Sequence, residues 1–322
     1  MFLPTFHDVK RAHERIRDEV NQTPVVTSRT LNRLTGKEIF LKCENFQRGG
    51  AFKFRGAYHA VSRLSPAEKK RGLVCFSSGN HAQAVALAAS MWNLRAVICM
   101  PQDAPPVKVE ATRGYGAHIH FYDRQREDRE AVARRWVEEE NMVLVPPYDD
   151  PRIIAGAGTA ALELMTEVSH LDAVITPVGG GGLISGTALA VKGHAPETLV
   201  AGVEPARGND VYLSIQAGKR VTISAPETVA DGLRTTSPGK LTFPIIQRLV
   251  DHLFLVTEEE IRAAWEFAFT RLKLVIEPSS AVALAALLHH QVPADIKRVG
   301  VIISGGNVDL TMLPSLRANP PI

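Results

Sequence analysis

Short apolar runs alternate along the chain with longer stretches whose apolar residues recur at helical spacing. The runs Ile39–Cys43, Leu73–Phe76, Ala96–Met100, His118–Phe121, Met142–Val145, Ala173–Thr176, Leu199–Val203, His252–Val256 and Val299–Ile303 predict strands. Helical periodicity predicts helices over Asn80–Met91, Gln125–Glu140, Ile153–Glu167, Glu258–Lys273 and Ser280–His289. Such alternation indicates an α/β architecture of mainly parallel sheets flanked by helices. Several strands are almost continuous Val/Ile/Leu runs, as expected where both faces of a sheet are covered. Proline-rich breaks fall at Pro101–Pro106, at Pro146–Pro147 and in the Asn319–Pro321 tail. The break at Pro146–Pro151 predicts a domain crossing, and the tail after Leu316 is expected to fray.

Composition adds mostly exclusions. The 322 residues favour about two domains and a real core. With 45% apolar and 22% charged residues the chain is neither disordered nor a coiled coil. A net charge of +3, from 37 basic and 34 acidic residues, demands neither nucleic acid nor a membrane surface as partner. Arg124–Arg135 is rich in basic residues but interleaved with Asp and Glu, which predicts a solvated helix face. No apolar run reaches the ~18 residues of a membrane span, and the N-terminus has no signal-peptide core. Cys43, Cys75 and Cys99 form no CxxC pair and stand in apolar stretches, so they read as reduced and buried, and the protein as cytoplasmic.

Four motifs carry candidate chemistry. Pro177-Val178-Gly179-Gly180-Gly181-Gly182-Leu183-Ile184-Ser185-Gly186 follows a strand and opens a helical segment. Consecutive glycines let backbone N–H groups converge on one anion at a helix N-terminus, most naturally a phosphate; the alternative is a flexible turn. The stretch lacks GxGxxG spacing, and Gly186 is followed by Thr187 rather than the lysine of a P-loop. Gly156-Ala157-Gly158-Thr159-Ala160-Ala161 has the spacing but no preceding strand, and reads as close helix packing. Lys53 stands between Phe52 and Phe54, where desolvation would lower its pKa and suit it to a Schiff base; a snorkelling surface lysine is the alternative. Ser77-Ser78-Gly79-Asn80-His81 ends a strand and opens a helix. It offers both an N-cap and a carboxylate-binding turn. Ser304-Gly305-Gly306-Asn307 again follows a strand, where ligands of open α/β sheets bind.

In this order, the Lys53 segment, the Ser-Ser-Gly-Asn-His turn, the tetraglycine loop and Ser-Gly-Gly-Asn resemble the fold-type-II pyridoxal-phosphate enzymes. The likeness is to the serine racemase and serine/threonine (3-hydroxyaspartate) dehydratase group, over roughly residues 5–310. The resemblance implies two open twisted sheets of the tryptophan synthase beta-like kind. It implies a discontinuous cofactor domain, 1–65 with 150–322, and a small domain, 66–149. Lys53 then holds pyridoxal phosphate, and Gly179, Gly180, Gly181 and Gly182 hold its phosphate. Phe52 flanks the ring, Asn80 bonds its 3-hydroxyl and Ser304 faces its nitrogen. The turn of Ser77, Ser78, Gly79, Asn80 and His81 takes the substrate carboxylate. Glu204, the Gly208 carbonyl and Asp210 match a divalent-cation site for Mg²⁺, Ca²⁺ or Mn²⁺, whereas their spacing alone fits a surface loop.

The activity so implied is β-elimination from a small β-hydroxy amino acid, such as L-serine, L-threonine or 3-hydroxyaspartate, to a 2-oxo acid and ammonia. The alternative is a serine racemase, with Lys53 on one face of the substrate and Ser78 on the other. Arg129 matches an arginine near the substrate end and would suit a second carboxylate; a salt bridge on a helix surface is the other option. A cofactor-free binding module or a nicotinamide dehydrogenase remains a third class, and it would purify colourless. Gly49-Gly50-Ala51 replaces the Thr-Gly-Ser of many dehydratases, and Arg29 departs from the nucleotide-binding pattern, so nucleotide activation is not expected. A regulatory domain after residue 322 is not expected either. The family also implies a homodimer.

Overall fold

The computed structural model of the chain describes residues 2–104, 106–289, 292–309 and 311–312. The Asn319–Pro321 tail and everything after Leu316 lie outside them. Among the described residues, ten strands form two sheets: β1 (Val25–Val26), β2 (Glu38–Cys43), β3 (Leu73–Phe76), β4 (Ala96–Pro101), β5 (His118–Tyr122), β6 (Val143–Leu144), β7 (Ala173–Pro177), β8 (Leu199–Pro205), β9 (His252–Val256) and β10 (Arg298–Ile303). The helices are α1 (Phe6–Ile16), α2 (Arg29–Thr35), α3 (Lys53–Ser62), α4 (Pro66–Arg71), α5 (Asn80–Met91), α6 (Pro106–Gly114), α7 (Arg129–Glu140), α8 (Pro151–Glu167), α9 (Gly182–His194), α10 (Asp210–Ala217), α11 (Thr242–Leu249), α12 (Glu258–Phe267) and α13 (Pro278–Leu288).

The larger sheet runs β1-β2-β10-β7-β8-β9 and the smaller β5-β4-β3-β6. Every pairing is parallel except the short β1–β2 contact. The register explains the apolar runs. In β3, Leu73 and Cys75 pack with Val85 of α5 on one face, while Val74 and Phe76 pack with Val132 of α7 on the other. The larger sheet is likewise covered by α12 and α13 on one side and by α1, α8, α9 and α11 on the other. All three cysteines are free and buried.

Several boundaries differ from the periodicity. The helix expected from Gln125 begins only at Arg129, because Asp128 accepts hydrogen bonds from the N–H groups of Glu130 and Ala131 and caps it there. Met142–Val145 contributes only two paired residues. The helix from Glu258 loosens into a π turn at Ala268–Leu272 and stops at Lys273, whose φ is 60°. Helices α6 and α11 have no counterpart in the pattern as read. The Arg124–Arg135 stretch is a solvated face: Arg124 pairs with Asp103 and Arg135 with Glu127. The glycines of α8 do serve close packing, since a Cβ on Gly158 would sit 2.5 Å from the Gly186 carbonyl oxygen of α9. Among the described residues no helix is long and apolar enough to cross a membrane.

Candidate active site

Parallel strands in both sheets deliver their loops to one region. Phe76 ends β3, Pro177 ends β7 and Ile303 ends β10, so three of the four motifs lie at carboxyl strand ends. The fourth joins them through the backbone. Phe52 N–H donates to the Ser304 carbonyl over 2.9 Å, and Ala51 bridges to Gly305. Lys53 is thereby anchored beside the end of β10.

Lys53 Nζ donates to the Pro147 carbonyl over 2.7 Å. Its pKa is pushed down to about 8 because burial disfavours the ammonium, while the Glu277 carboxyl pulls the other way. The next residue, Tyr148, lies directly against the glycine loop: a Cβ on Gly180 would run into its ring, and one on Gly182 would lie 2.9 Å from the Tyr148 Cβ. The Pro147-Tyr148 dipeptide thus ties Lys53 to the tetraglycine loop. Gly181 has φ 94°, where an L side chain is strained, and serves as the N-cap of α9 without a side-chain acceptor. The loop is braced by Thr242, whose hydroxyl donates to the Gly180 carbonyl at 2.8 Å. Asp149 in turn accepts from the N–H groups of Lys240 and Leu241, each at 2.8 Å.

The Ser77–His81 turn departs from one expectation. The N-cap of α5 is Gly79, with no side-chain cap bond, so neither Ser78 nor Asn80 caps that helix. Asn80 is engaged elsewhere: its Nδ2 donates to both oxygens of Glu277, at 2.8 and 2.9 Å, and its Oδ1 accepts from Asn307 Nδ2 at 3.0 Å. Ser77 Oγ accepts from Gly79 N–H. His81 is buried with Nε2 donating to the Val145 carbonyl at 2.9 Å, which leaves Nδ1 as a bare acceptor without a partner. Burial foremost, then the nearby Lys53 charge, push its pKa down to about 3, so the ring is neutral. Ser304 Oγ lies 2.9 Å from Ser280 Oγ, which also contacts Gly305.

Sequence reasoning missed Glu277, Asn307 as a partner of Asn80, Tyr148, Asp149 and Thr242. Glu277 is 4% exposed, and its pKa is raised to about 7 by burial and by Asp231, against the pull of Asn80, Lys108 and Lys53. The only local signal was an acid directly before a helix-starting Pro278. Arg129 begins α7 with its guanidinium carbon 5.7 Å from the centre of the Phe76 ring, one residue before the Ser77–His81 turn.

The second candidate site is separate. Glu204 and Asp210 are both fully buried. Glu204 accepts from the N–H groups of Val211 and Tyr212, at 3.0 and 2.7 Å. Asp210 Oδ1 accepts from Thr235 at 3.2 Å, while Oδ2 is buried without a partner. Burial raises the pKa of both, Asp210 to about 7. Among the described residues, no three His, Cys, Asp or Glu side chains form a metal-ready cluster.

A desolvated amine, a glycine-lined helix N-terminus with free N–H groups, and a carboxamide and a hydroxyl at neighbouring strand ends together suit a phosphorylated aldehyde with a polar ring. The comparisons agree. The family model for pyridoxal-phosphate dependent enzymes matches residues 16–305. The chain is 49% identical over 316 residues to the L-threo-3-hydroxyaspartate ammonia-lyase of Saccharomyces cerevisiae, covering 98% of this chain and 97% of that protein. It is 49% identical over 310 residues to the serine racemase of Schizosaccharomyces pombe, covering 96% of each. The crystal structure of the Dictyostelium discoideum serine racemase superposes with a TM-score of 0.91 at 46% identity, covering 95% of this chain and 99% of that one.

Proposed function

The chain belongs to the pyridoxal-phosphate dependent enzymes, and we propose that the pocket around Lys53 is where it eliminates water from a β-hydroxy amino acid. The protein is an ammonia-lyase: the substrate loses water across Cα and Cβ, regains one on hydrolysis, and leaves as a 2-oxo acid and ammonia. Bound pyridoxal phosphate supplies the electron sink that acidifies the Cα–H bond. The residues of the chain supply anchoring, positioning and proton movement.

Lys53 holds the cofactor and, once released as a free amine, takes the Cα proton. An amine with a pKa of about 8 is well placed for that task near neutral pH. Gly179, Gly180, Gly181 and Gly182 hold the phosphate through N–H groups at the start of α9. Phe52 would flank the ring, Asn80 would donate to its hydroxyl, and Ser304 would meet its nitrogen. A hydroxyl there, rather than a carboxylate, would place no negative charge beside the nitrogen to hold a proton on it. The Ser77–His81 turn receives the substrate α-carboxylate. The single observation that carries this assignment is the desolvated Lys53 amine, bonded to a backbone carbonyl whose neighbour Tyr148 packs on the glycine loop. Strands β3–β6 form one sheet and the remaining strands the other. That division supports taking 66–149 as a small domain against 1–65 with 150–322.

We favour 3-hydroxyaspartate as substrate. Arg129 sets a cation beside Phe76, where a second carboxylate would meet it, and relatives named for that substrate span nearly the whole chain. Racemisation through Lys53 and Ser78 is the second reading, supported by the place of Ser78 in the turn before α5, which it does not cap, and by the serine racemase relatives. A Mg²⁺, Ca²⁺ or Mn²⁺ ion on Glu204, Asp210 and the Gly208 carbonyl is supported by the orphaned Asp210 Oδ2 and by two buried carboxyls close enough to repel, a setting that suits a hard cation. We take the protein as a cytoplasmic homodimer, in line with the family.

The deciding experiment measures 2-oxo acid and ammonia release from L-serine, L-threonine and the isomers of 3-hydroxyaspartate. Equimolar products, fastest from a 3-hydroxyaspartate isomer, are expected. No release from any of them by cofactor-loaded protein would overturn the assignment.

A further inference from the structure

Asn80 is pinned from two sides by groups that can be satisfied in only one way. On one side stands Glu277, whose carboxylate only accepts, so the Nδ2 end of Asn80 must face it. On the other stands Asn307. Its Nδ2 donates to the Gly49 carbonyl at 2.7 Å, and a backbone carbonyl also only accepts. That contact fixes the amide orientation of Asn307, which in turn donates to Asn80 Oδ1. The Gly49–Asn307 end is tight as well. Gly50 has φ 72°, and a Cβ there would collide with the Asn307 side chain.

The Glu277 end is equally built. Glu277 N–H donates to the Gly305 carbonyl at 3.1 Å, which ties the start of α13 to the loop after β10. A Cβ on Gly305 would lie 3.0 Å from Glu277 Oε1, so only glycine leaves the carboxylate its place. Both Glu277 oxygens approach one Asn80 nitrogen, which leaves Asn80 one amide hydrogen outside this chain of bonds.

On the pocket assignment made above, we propose that Glu277 is a positioning residue: as a carboxylate it locks the Asn80 amide so that an N–H, not the carbonyl, is offered to the ring hydroxyl of the cofactor. Protonation loosens the lock and leaves the Asn307 contact to hold the amide alone, because a carboxylic acid can also donate and no longer dictates which end of the amide faces it. The charged groups around Glu277 are Lys53 on α3, Lys108 on α6 and Asp231 in the 231–233 turn. Lys108 and Asp231 pair with each other. Burial foremost, then the Asp231 charge, raise the Glu277 pKa to about 7 against the pull of Asn80, Lys108 and Lys53. The lock therefore weakens between pH 8 and pH 6.

The test titrates pyridoxal 5′-phosphate into cofactor-free wild type, Glu277→Gln and Glu277→Ala, followed by absorbance at pH 8 and at pH 6. Comparing variants at each pH cancels the titration of the free cofactor; Lys53, whose pKa the Glu277 charge raises, is titrated separately in each variant. Glu277→Ala should bind about tenfold or more weakly at pH 8, the scale of losing a hydrogen bond to a charged group. Glu277→Gln can still accept from Asn80 Nδ2. Because Gln, like the protonated acid, can also donate, the variant should bind more weakly than wild type at pH 8, as wild type does at pH 6, and show no further weakening between the two. Wild-type affinity in Glu277→Ala would overturn the proposal, as would a Glu277→Gln profile parallel to wild type at both pH values. If Glu277→Ala does not fold, the Glu277→Gln comparison decides alone. Wild type that takes up no cofactor would instead defeat the pocket assignment itself.

Discussion

Lys53 Nζ reaches across 94 positions of sequence to the Pro147 carbonyl, 2.7 Å away. That bond joins the start of α3 to the strand-to-helix passage before α8, where Tyr148 packs on the glycine loop. The amine is held in a low-dielectric site by a neutral acceptor, which explains a pKa lowered to about 8.

Replacing Lys53 by alanine should remove both the cofactor anchor and the base. Lys53→Ala is expected to lose the yellow absorbance of the holoenzyme and several orders of magnitude in 2-oxo acid release, as covalent catalysts do. Turnover at the wild-type rate, measured with cofactor in excess, would rule out the assignment.

Ser78 separates elimination from inversion. Ser78→Ala should abolish any conversion of L- to D-serine while L-substrate elimination persists at a similar or reduced rate. Elimination from D-serine should fall together with inversion. Gly79, not Ser78, caps α5, so the variant should melt close to wild type. Chiral chromatography beside pyruvate release, run in both enantiomeric directions, provides the measurement; a variant that still interconverts the enantiomers contradicts the two-face assignment.

Chelation examines the Glu204–Asp210 pair. An ion that binds only the folded state stabilises it by about 2.7 kcal/mol at a hundred times its dissociation constant. Removing it should lower Tm and activity together, and Mg²⁺, Ca²⁺ or Mn²⁺ should restore both. An unchanged Tm after metal removal verified by elemental analysis argues that Glu204 serves only to cap α10, through the Val211 and Tyr212 N–H groups.

His59 supplies a pH dependence away from the pocket. Its Nδ1 donates to the Arg152 carbonyl at 2.8 Å, and burial foremost pushes its pKa down to about 4. A histidine depressed in the fold contributes stability that is present above its unfolded pKa, near 6.5, and lost as pH falls through about 4. Full loss amounts to about 3 kcal/mol. His59→Asn keeps a donor for Arg152 and carries no titration, so urea midpoints at pH 7.5 and pH 4.5 should lie closer together than in wild type. An equal acid sensitivity in the variant would assign it to other groups.

The sequence by itself determined the parts that depend on near neighbours. Short apolar runs and period-3.6 patterning place nine of the ten strands among the described residues and the main helices, because burying both faces of a strand or one face of a helix is a local demand. The tetraglycine loop, Lys53 between two aromatics and the Ser77–His81 turn are also legible locally, since each is a backbone requirement or a residue type written in consecutive positions. Only the tertiary structure decided who meets whom. Glu277 reaches Asn80 across 197 positions and Asn307 across 227, distances that sheet order closes and periodicity does not encode. Arg55, two residues past Lys53, shows the same thing. It is fully buried between Glu44 and Glu163, with Lys42 on the far side of Glu163. Three segments bring those charges together, and each is affordable in the core only because the others are present. A charged residue carries no local mark of whether its partner will be water or another buried charge; the packing of α3 against α8 and β2 decides it.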